Sequence, residues 1–424
     1  MVRVIPFNAV YYNNLRFGND VGRFVAPPYD VVENRLEKKL KEDRLNITHL
    51  TLGDEDDGYG TVAKRLRRWL NDGVLVRDPE KSMYLYEQTF QGDDGVVRVR
   101  TGIVAAVRLE DAANGKILPH ENIIPSHKED RLALMSALRG DSEQIFMLYD
   151  DQTGEVERTI DECRKTEEVL RFIDSSGVHH RIVRIGESDT ISRIQGFLEK
   201  QTALIADGHH RYETAIEYRN RSAKGHADED GRPHDYILAT LVSFVNPGLV
   251  INPAHRLVRE VGPGELSALR DRLPLEFRIA DFGSAGELEA ALRDAPETAF
   301  GIWCPSLELI ALAEPKEITG DGPLDALSVY VLQERVLKGM LGFTTEQLDK
   351  KVNIDYVVDF PSAWRTVESG EQAMCLFVKP PTVAQVMAVA KAGLKMPHKS
   401  THFYPKIWSG TVLYLFDEQR PSEQ

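Results

Sequence analysis

The sequence predicts an α/β protein with mixed sheets, and three patterns indicate this class. A short apolar run at 203–206 is followed by a helical pattern that begins near residue 211, which is typical of a buried strand that leads into a helix. Two strand-like runs, 83–90 and 96–109, are joined by a Gly/Asp turn at 92–95 and predict an antiparallel hairpin. An amphipathic pattern at 59–70 predicts a helix between the strand-like segments.

The length of 424 residues predicts more than one domain, because single hydrophobic cores rarely grow this large. We expect an N-terminal mixed α/β domain at 1–110, a core domain at 111–260 and a C-terminal α/β domain at 261–424. An insertion near 150–200 is expected inside the core. The C-terminal domain is expected to complete the substrate site.

The composition is that of a globular protein and argues against several classes of partner. The net charge of −14 is not that of a general nucleic-acid binder, which usually has a basic excess. The first residues lack the apolar core of a signal peptide, and no apolar run is long enough to cross a membrane. The three cysteines are widely separated and form no metal-binding spacing. We therefore expect a cytoplasmic protein that binds neither nucleic acid nor membranes.

The block Asp207-Gly208-His209-His210-Arg211 lies where the predicted strand passes into the helix. The start of a helix attracts anions, glycine permits close approach of a ligand, and an arginine side chain can form two hydrogen bonds to a phosphate. These features predict a phosphate-binding turn. In the alternative interpretation, Asp207 caps the helix and the histidines are ordinary core or surface residues.

Pro119-His120-Glu121 is a second candidate, because the proline restrains the backbone that carries a carboxylate. Glu121 is then a possible general base for a hydroxyl nucleophile. A solvated loop glutamate is the alternative.

A third candidate is the basic segment 395–406, in which Lys399 precedes the hydroxyls of Ser400 and Thr401. These groups suit a carboxylate or a phosphate, although a basic surface loop has the same composition. A weaker candidate is 252–256, whose histidine and arginine either line the same pocket or cap an element.

The residues do not favour a transition-metal site. His209 and His210 are adjacent and point in different directions, which matches zinc coordination poorly. A Mg²⁺ ion recruited together with phosphates through Asp207 or Glu121 fits better. The nucleotide-binding patterns Gly-x-Gly-x-x-Gly and Gly-x₄-Gly-Lys-Ser/Thr do not occur.

Read in order, the three candidates resemble motifs of the ParB/sulfiredoxin-like superfamily, and most closely those of the archaeal ADP-dependent free-serine kinases. The matching segments are Pro119-His120-Glu121, Asp207 to Arg211, and Lys399-Ser400-Thr401. The chain also resembles a large family of prokaryotic ParB-like proteins, on the segment 26–30 (Ala-Pro-Pro-Tyr-Asp) and the Ala-Asp-Gly-His-His-Arg-Tyr signature. The resemblance differs in two places: Glu121 and Asp207 are much farther apart in sequence than in the kinases, and Ser400 replaces a threonine.

The resemblance implies a ParB/sulfiredoxin-like core and a kinase that uses ADP or ATP, with Mg²⁺ as a possible further ligand. It implies that free L-serine is the acceptor and O-phosphoserine the product. Glu121 would be the catalytic base, assisted by Asp207, while Gly208 to Arg211 would bind phosphate and Lys399 to Thr401 the substrate. The alternative is a ParB-like nucleotide-binding regulator without phosphotransfer, but a basic helix-turn-helix is not found. A scaffold that keeps the block only as a relic is a third possibility.

Overall fold

The computed structural model describes residues 1–53, 59–92, 94–121, 128–223 and 231–416. The chain forms two compact units. Unit 1 comprises Met1–Pro119, Ile123–Leu249 and Pro405–Gln424, and unit 2 comprises His120–Asn122 and Val250–Tyr404. The expected domain divisions near residues 110 and 260 stay a prediction.

Unit 1 is built on a nine-stranded sheet with parallel and antiparallel pairs. In spatial order its strands are β6 (Ile117–Pro119), β11 (Ala203–Asp207), β8 (Ile145–Tyr149), β12 (Tyr236–Ser243), β5 (Val97–Arg108), β4 (Met83–Gln91), β10 (His179–Ile185) and β9 (Glu168–Ile173), and β1 (Val4–Ile5) pairs with β5. Strand β11 runs parallel to β6 and antiparallel to β8. Strands β8 and β12 are buried along their whole length, which explains their almost continuous apolar sequences.

The predicted hairpin is confirmed, since β4 and β5 pair antiparallel from Tyr84↔Val104 to Gln91↔Val97. Asp93 of its turn lies outside the described residues. The stretch near 150–200, expected as an insertion, contributes β9 and β10 to the same nine-stranded sheet. In β9, Val169, Leu170 and Phe172 are buried, whereas Arg171 and Ile173 are exposed.

Two small sheets and eight α-helices complete the described part of unit 1. The small sheets pair β2 (Val10–Tyr12) with β3 (Leu75–Arg77), and β7 (Gly140–Asp141) with β21 (Tyr414–Leu415). The helices are α1 (Asn14–Phe17), α2 (Asn34–Lys41), α3 (Thr48–Thr51), α4 (Val62–Asn71), α5 (Lys128–Leu138), α6 (Glu155–Cys163), α7 (Ser188–Leu198) and α8 (His209–Ala223). In α4, Val62, Leu66 and Trp69 are buried, as the apolar pattern at 59–70 predicts.

Unit 2 is built on a six-stranded antiparallel sheet. In spatial order its strands are β15 (Phe277–Asp281), β17 (Leu309–Pro315), β16 (Phe300–Cys304), β19 (Met374–Val378), β14 (His255–Val258) and β18 (Ile354–Val357), and a separate pair joins β13 (Val250–Asn252) to β20 (His402–Tyr404). The described α-helices are α9 (Pro263–Glu276), α10 (Ala285–Asp294), α11 (Ser328–Val331), α12 (Thr345–Asp349), α13 (Phe360–Glu368) and α14 (Val383–Lys391), and a π-helical stretch, Leu332–Lys338, follows α11. Two clusters of buried apolar side chains form the core of this unit.

The α/β class with mixed sheets is therefore confirmed. Within the described ranges, none of the helices combines the length and the apolar character needed to cross a membrane.

Candidate functional site

The junction between β11 and α8 places the Asp207–Arg211 block in unit 1. Gly208 has a φ of +93°, a conformation that residues with a side chain rarely adopt. A Cβ atom at this position would lie 2.9 Å from Nη2 of Arg211 and 3.0 Å from Cδ1 of Ile145. The carbonyl of Gly208 accepts a hydrogen bond from the N–H of Tyr212 at 3.0 Å, so helical pairing starts here. Glycine is needed for both the turn and the close approach.

Asp207 holds two cations at this junction. Its Oδ1 lies 3.3 Å from Nζ of Lys406, and its Oδ2 lies 3.5 Å from Nη2 of Arg211. Burial by itself raises the pKa of the Asp207 carboxyl, but Lys406, Arg211 and His209 together lower this pKa to well below its usual range. Asp207 is therefore ionised at neutral pH and does not exchange a proton there.

Arg211 is a buried and permanently charged side chain. Its Nη1 donates to the carbonyl of Gln144 at 2.7 Å. Burial by itself lowers the pKa of the guanidinium, but the carboxylates of Glu143, Asp207 and Asp30 raise it above its ordinary value. Its Nε is also buried and has no hydrogen-bond partner among the described residues. A buried donor of this kind costs about 1–3 kcal/mol, and a bound anion would remove that cost.

The Pro-Pro-Tyr-Asp turn at 27–30 lies close to two arginines, Arg131 and Arg211. Oε1 of Glu143 accepts hydrogen bonds from the N–H of Tyr29 at 3.0 Å and from the hydroxyl of Ser409 at 2.8 Å. The guanidinium of Arg131 lies 4.2 Å from the centre of the Tyr29 ring. Burial raises the pKa of Tyr29 to about 12. Asp30 and Tyr29 of this turn also interact electrostatically with Arg211.

A small pocket opens beside Arg211 within unit 1. Arg131, Asp141 and Glu143 line it together with apolar side chains of α5. Burial raises the pKa of the Asp141 carboxyl to about 7, although the N–H of Leu238 and the charge of Arg211 oppose this rise. The pocket is therefore lined by two permanently charged arginines, Arg131 and Arg211, and by one acid that titrates near neutral pH.

In unit 2, the structure brings the Glu121 segment next to the segment that carries Lys399, Ser400 and Thr401. The carbonyl of His120 accepts a hydrogen bond from the N–H of Met396 at 2.9 Å. Nε2 of the buried His120 lies 3.0 Å from the hydroxyl oxygen of Thr401. Two hydrogen bonds therefore join chain segments about 280 residues apart.

Arg256 connects the same two segments. Its Nη2 donates to the carbonyl of Lys399 at 3.3 Å, and its Nη1 donates to the carbonyl of Ala254. Burial lowers the pKa of Arg256 to about 10, while Tyr356 and Glu121 oppose this shift. The carboxylate of Glu121 thus interacts electrostatically with a buried guanidinium.

The Lys399–Thr401 turn has an uncommon backbone conformation. Lys399 has a φ of +56°, which is unfavourable for a residue with a side chain. Ser400 is buried, and its hydroxyl donates to the carbonyl of Pro397. Strained residues of this kind occur often at functional sites. The hydroxyl of Ser400 is already engaged in shaping the turn.

His255, by contrast, is a core residue. Its ring contacts Phe360 and Phe377 edge-on, with ring centres 5.8 and 5.1 Å away. Its Nδ1 accepts a hydrogen bond from the N–H of Val378 at 3.3 Å. Burial lowers the pKa of His255 to about 3, so the ring is neutral. Of the weak candidate at 252–256, Arg256 therefore donates to Lys399, whereas His255 belongs to the core.

The structure thus places the predicted residues in two groups. Asp207 to Arg211 lie in unit 1, whereas Glu121 and Lys399 to Thr401 lie in unit 2. Sequence reasoning missed Lys406 and Glu143 as partners of the phosphate-binding turn. Lys406 belonged to the basic segment 395–406 that had been singled out, but its pairing with Asp207 depends on tertiary contacts across 199 positions of sequence.

The donor set does not form a metal centre by itself. In the described parts of the chain, no group of three or more His, Cys, Asp or Glu side chains is arranged to hold a metal ion. The Asp207 carboxylate is instead paired with an ammonium and a guanidinium. These residues do not fit a dedicated Mg²⁺ site.

Fold and site together define a mixed α/β protein with a cationic strand-to-helix turn. The chain belongs to the family described as "Protein of unknown function (DUF1015)", whose sequence profile matches residues 4–330. A comparison with curated proteins finds no match.

Solved structures with partial similarity include a free serine kinase in complex with AMP, at 14% identity and a TM-score of 0.37, covering 71% of this chain and 86% of that chain. A conserved hypothetical protein from Pyrococcus furiosus is 16% identical with a TM-score of 0.35, covering 72% of this chain and 92% of that chain. C-terminally truncated SbnI from Staphylococcus aureus is 11% identical with a TM-score of 0.36, covering 72% of this chain and 84% of that chain. Similarities at this level do not define an activity.

Proposed function

We propose that this protein is a phosphotransferase that moves a phosphoryl group from a nucleotide, ADP or ATP, to the hydroxyl of free L-serine. The products are O-phosphoserine and the shortened nucleotide. The observation that carries the proposal is the arrangement of Lys406, Asp207 and Arg211 at the start of α8. Two fixed cations and a helix N-terminus are the groups that bind phosphate oxygens.

The donor phosphates bind to the turn formed by Gly208, His209, His210 and Arg211. Phosphoryl transfer needs little covalent chemistry from the protein, and catalysis comes mainly from positioning and from stabilisation of negative charge. The buried Nε of Arg211 is available for a phosphate oxygen. Asp207 remains ionised, so it pairs with Lys406 and Arg211 and does not exchange a proton.

The acceptor residues belong to unit 2. Glu121 takes the proton of the serine hydroxyl as the new O–P bond forms and the bond between the donor oxygen and phosphorus breaks. Lys399 and Thr401 bind the carboxylate of the amino acid. Ser400 supports them, because its hydroxyl holds the carbonyl of Pro397. Arg256 keeps a positive charge beside Glu121, which favours the ionised form that a base requires.

No step is assigned to a metal ion, since the described side chains form no dedicated site for one. Motif order also supports the proposal, because Glu121, the Asp-Gly-His-His-Arg block and Lys399 to Thr401 follow one another as in the ADP-dependent free-serine kinases. A ParB/sulfiredoxin-like core is part of the same proposal.

The test is incubation of the purified protein with serine and ADP, ATP or pyrophosphate, with O-phosphoserine measured by mass spectrometry. Glu121→Gln is expected to lower turnover about 10²- to 10⁴-fold, because a general base contributes about that much. Nucleotide affinity, measured by calorimetry, should remain near that of the wild type. Glu314→Gln is a matched control, since Glu314 is a half-buried glutamate of unit 2 paired with Arg278.

Full activity of the Glu121→Gln variant would show that the base has been assigned wrongly. Nucleotide binding without any phosphorylated product, with every donor, would instead favour a nucleotide-binding regulator of the ParB type.

A further inference from the structure

Lys406 is held in place by its backbone. The carbonyl of Pro405 accepts a hydrogen bond from Nη2 of Arg100, and the carbonyl of Lys406 accepts one from Nε2 of Gln88 at 2.8 Å. Two anchors on consecutive residues therefore fix the backbone at Pro405 and Lys406, while the Lys406 ammonium reaches Asp207.

The anchoring side chains Arg100 and Gln88 belong to a row of buried polar side chains that crosses three strands of the nine-stranded sheet. Arg100 on β5 lies directly opposite Gln88 on β4, and Gln88 lies directly opposite His180 on β10. Directly opposed residues of an antiparallel pair point to the same face. Nε and Nη2 of Arg100 both donate to Oε1 of Gln88, so the arginine orients the amide whose NH₂ group holds Lys406.

The row is buried, with Arg100, Gln88 and His180 each 1% exposed. The guanidinium of Arg100 lies 4.6 Å from the centre of the Phe146 ring. His180 bonds to Tyr86 at 2.7 Å and to Asp174 at 3.0 Å. Burial of a charged side chain carries a large desolvation cost, and apolar side chains of similar volume often stabilise a protein equally well or better. Stability alone therefore does not account for this row.

We infer that Arg100 and Gln88 are positioning residues that hold the Lys406 ammonium at the phosphate-binding turn. They act through Lys406, because their hydrogen bonds go to backbone carbonyls at 405 and 406 and not to Asp207 or Arg211. The inference rests on the proposed function, in which Lys406 helps to bind the donor phosphates. It gives a function to two buried polar side chains, Arg100 on β5 and Gln88 on β4, that are remote in sequence from the Asp207–Arg211 block.

The inference predicts that the effects of Arg100 and Lys406 on anion binding are coupled. Calorimetry with inorganic pyrophosphate measures this directly and requires no catalytic turnover. Lys406→Met is expected to weaken pyrophosphate binding about 10- to 100-fold, the range found when supporting groups of a binding site are removed. The apolar double variant Arg100→Met/Gln88→Leu should weaken it to a similar extent, while its urea midpoint stays equal to or above that of the wild type. The triple variant should bind no more weakly than Lys406→Met alone.

Gln88→Glu is a second, milder variant that tests the same contact. It keeps an acceptor for Arg100 and removes the donor to the carbonyl of Lys406. Pyrophosphate binding should weaken when Lys406 is present and should not change further in the Lys406→Met background. Tyr84→Phe is the control, because Tyr84 lies on the same strand as Gln88 and its hydroxyl donates a buried hydrogen bond of 2.7 Å to Asp78. The substitution removes that bond without altering the anchors at Pro405 and Lys406. It should lower stability and leave pyrophosphate affinity unchanged.

The outcomes separate the two proposals. Wild-type pyrophosphate affinity in Lys406→Met would overturn the anion-binding role of Lys406 and with it the donor site of the proposed function. Suppose that Lys406→Met binds pyrophosphate more weakly, while the double variant and Gln88→Glu bind it with wild-type affinity. That result would overturn only the positioning role of Arg100 and Gln88. Fully additive losses in the triple variant would do the same, because they would show that Arg100 and Gln88 act independently of Lys406.

Discussion

Replacing Asp207 by asparagine should destabilise unit 1 and at the same time strengthen its binding of anions. The carboxylate lies 3.3 Å from the ammonium of Lys406 and 3.5 Å from the guanidinium of Arg211. At an effective dielectric constant of about 20, each of these attractions amounts to about 5 kcal/mol before the cost of desolvation is subtracted. The variant leaves two partly buried cations without their shared carboxylate.

Removal of one member of a buried ion pair typically costs about 3–5 kcal/mol. The side chains of Asp207 and Lys406 are 22% and 16% exposed, so water compensates part of the loss. We therefore expect the free energy of unfolding of unit 1 to fall by about 3 kcal/mol, at the lower end of that range. Pyrophosphate should bind more tightly, because the competing negative charge has been removed.

The assay combines urea unfolding, followed by a probe in unit 1, with calorimetric titration of pyrophosphate. The pKa of Asp207 is lowered in the folded state, so its stabilisation is complete above the unfolded carboxyl pKa of about 3.9 and is lost only as the pH falls below it. The difference between wild type and variant should consequently stay constant between about pH 5 and pH 8. Glu162→Gln, which breaks an exposed ion pair with Arg193 in unit 1, is the control and should not shift the urea midpoint.

An unchanged unfolding free energy in Asp207→Asn would show that this carboxylate does not hold the two cations. Weaker pyrophosphate binding, accompanied by the expected loss of stability, would show that Asp207 is needed to orient Lys406 and Arg211 for the anion. In that case orientation outweighs charge repulsion.

Two further predictions concern the same region. Gly208→Ala should lower the stability of unit 1 by about 1–2 kcal/mol or more and weaken pyrophosphate binding, because the positive φ is unfavourable for alanine and its Cβ would lie 2.9 Å from Nη2 of Arg211; urea unfolding and calorimetry that match the wild type would contradict this. Asp141→Asn should remove a pH dependence of stability, since burial raises the pKa of Asp141 to about 7 and its contribution is therefore fully present below about pH 4 and declines as the pH rises toward 7. Above pH 7 the asparagine variant should be more stable than the wild type by up to a few kcal/mol, and identical pH profiles of the two proteins would show that Asp141 is not held protonated.

Local sequence patterns were sufficient for the elements with strong apolar periodicity. Strand β11 and the hairpin β4–β5 follow from short apolar or alternating runs bounded by glycine and aspartate, and helix α4 follows from its apolar stripe. Local patterns could not show that β9 and β10 join the nine-stranded sheet, because strand pairing depends on contacts between distant segments.

The candidate site divides in the same way. The turn at Asp207–Arg211 was visible in the sequence, because the glycine, the charged residues and the helix start lie within five positions. The role of His255 was not visible in the sequence, because a His-Arg pair occurs both in pockets and in cores. Only its packing against Phe360 and Phe377 shows that His255 is a core residue. The sequence left open whether Arg256 lines the same pocket or caps an element. Only the tertiary structure places it near Glu121, which is 135 positions away in the numbering.

By itself, the sequence determined the α/β class, the strand-to-helix turn with its anion-binding residue types, and the absence of a basic excess. These properties depend only on composition and on residues that are neighbours in the chain. They can therefore be predicted without knowledge of contacts between distant segments. Only the tertiary structure decided which charges meet. The ionisation of Asp207, the positioning of Lys406 by Arg100 and Gln88, and the contact of His120 with Thr401 all arise between residues remote in sequence. Charge interactions and hydrogen bonds act over a few ångströms in space, whatever the separation along the chain.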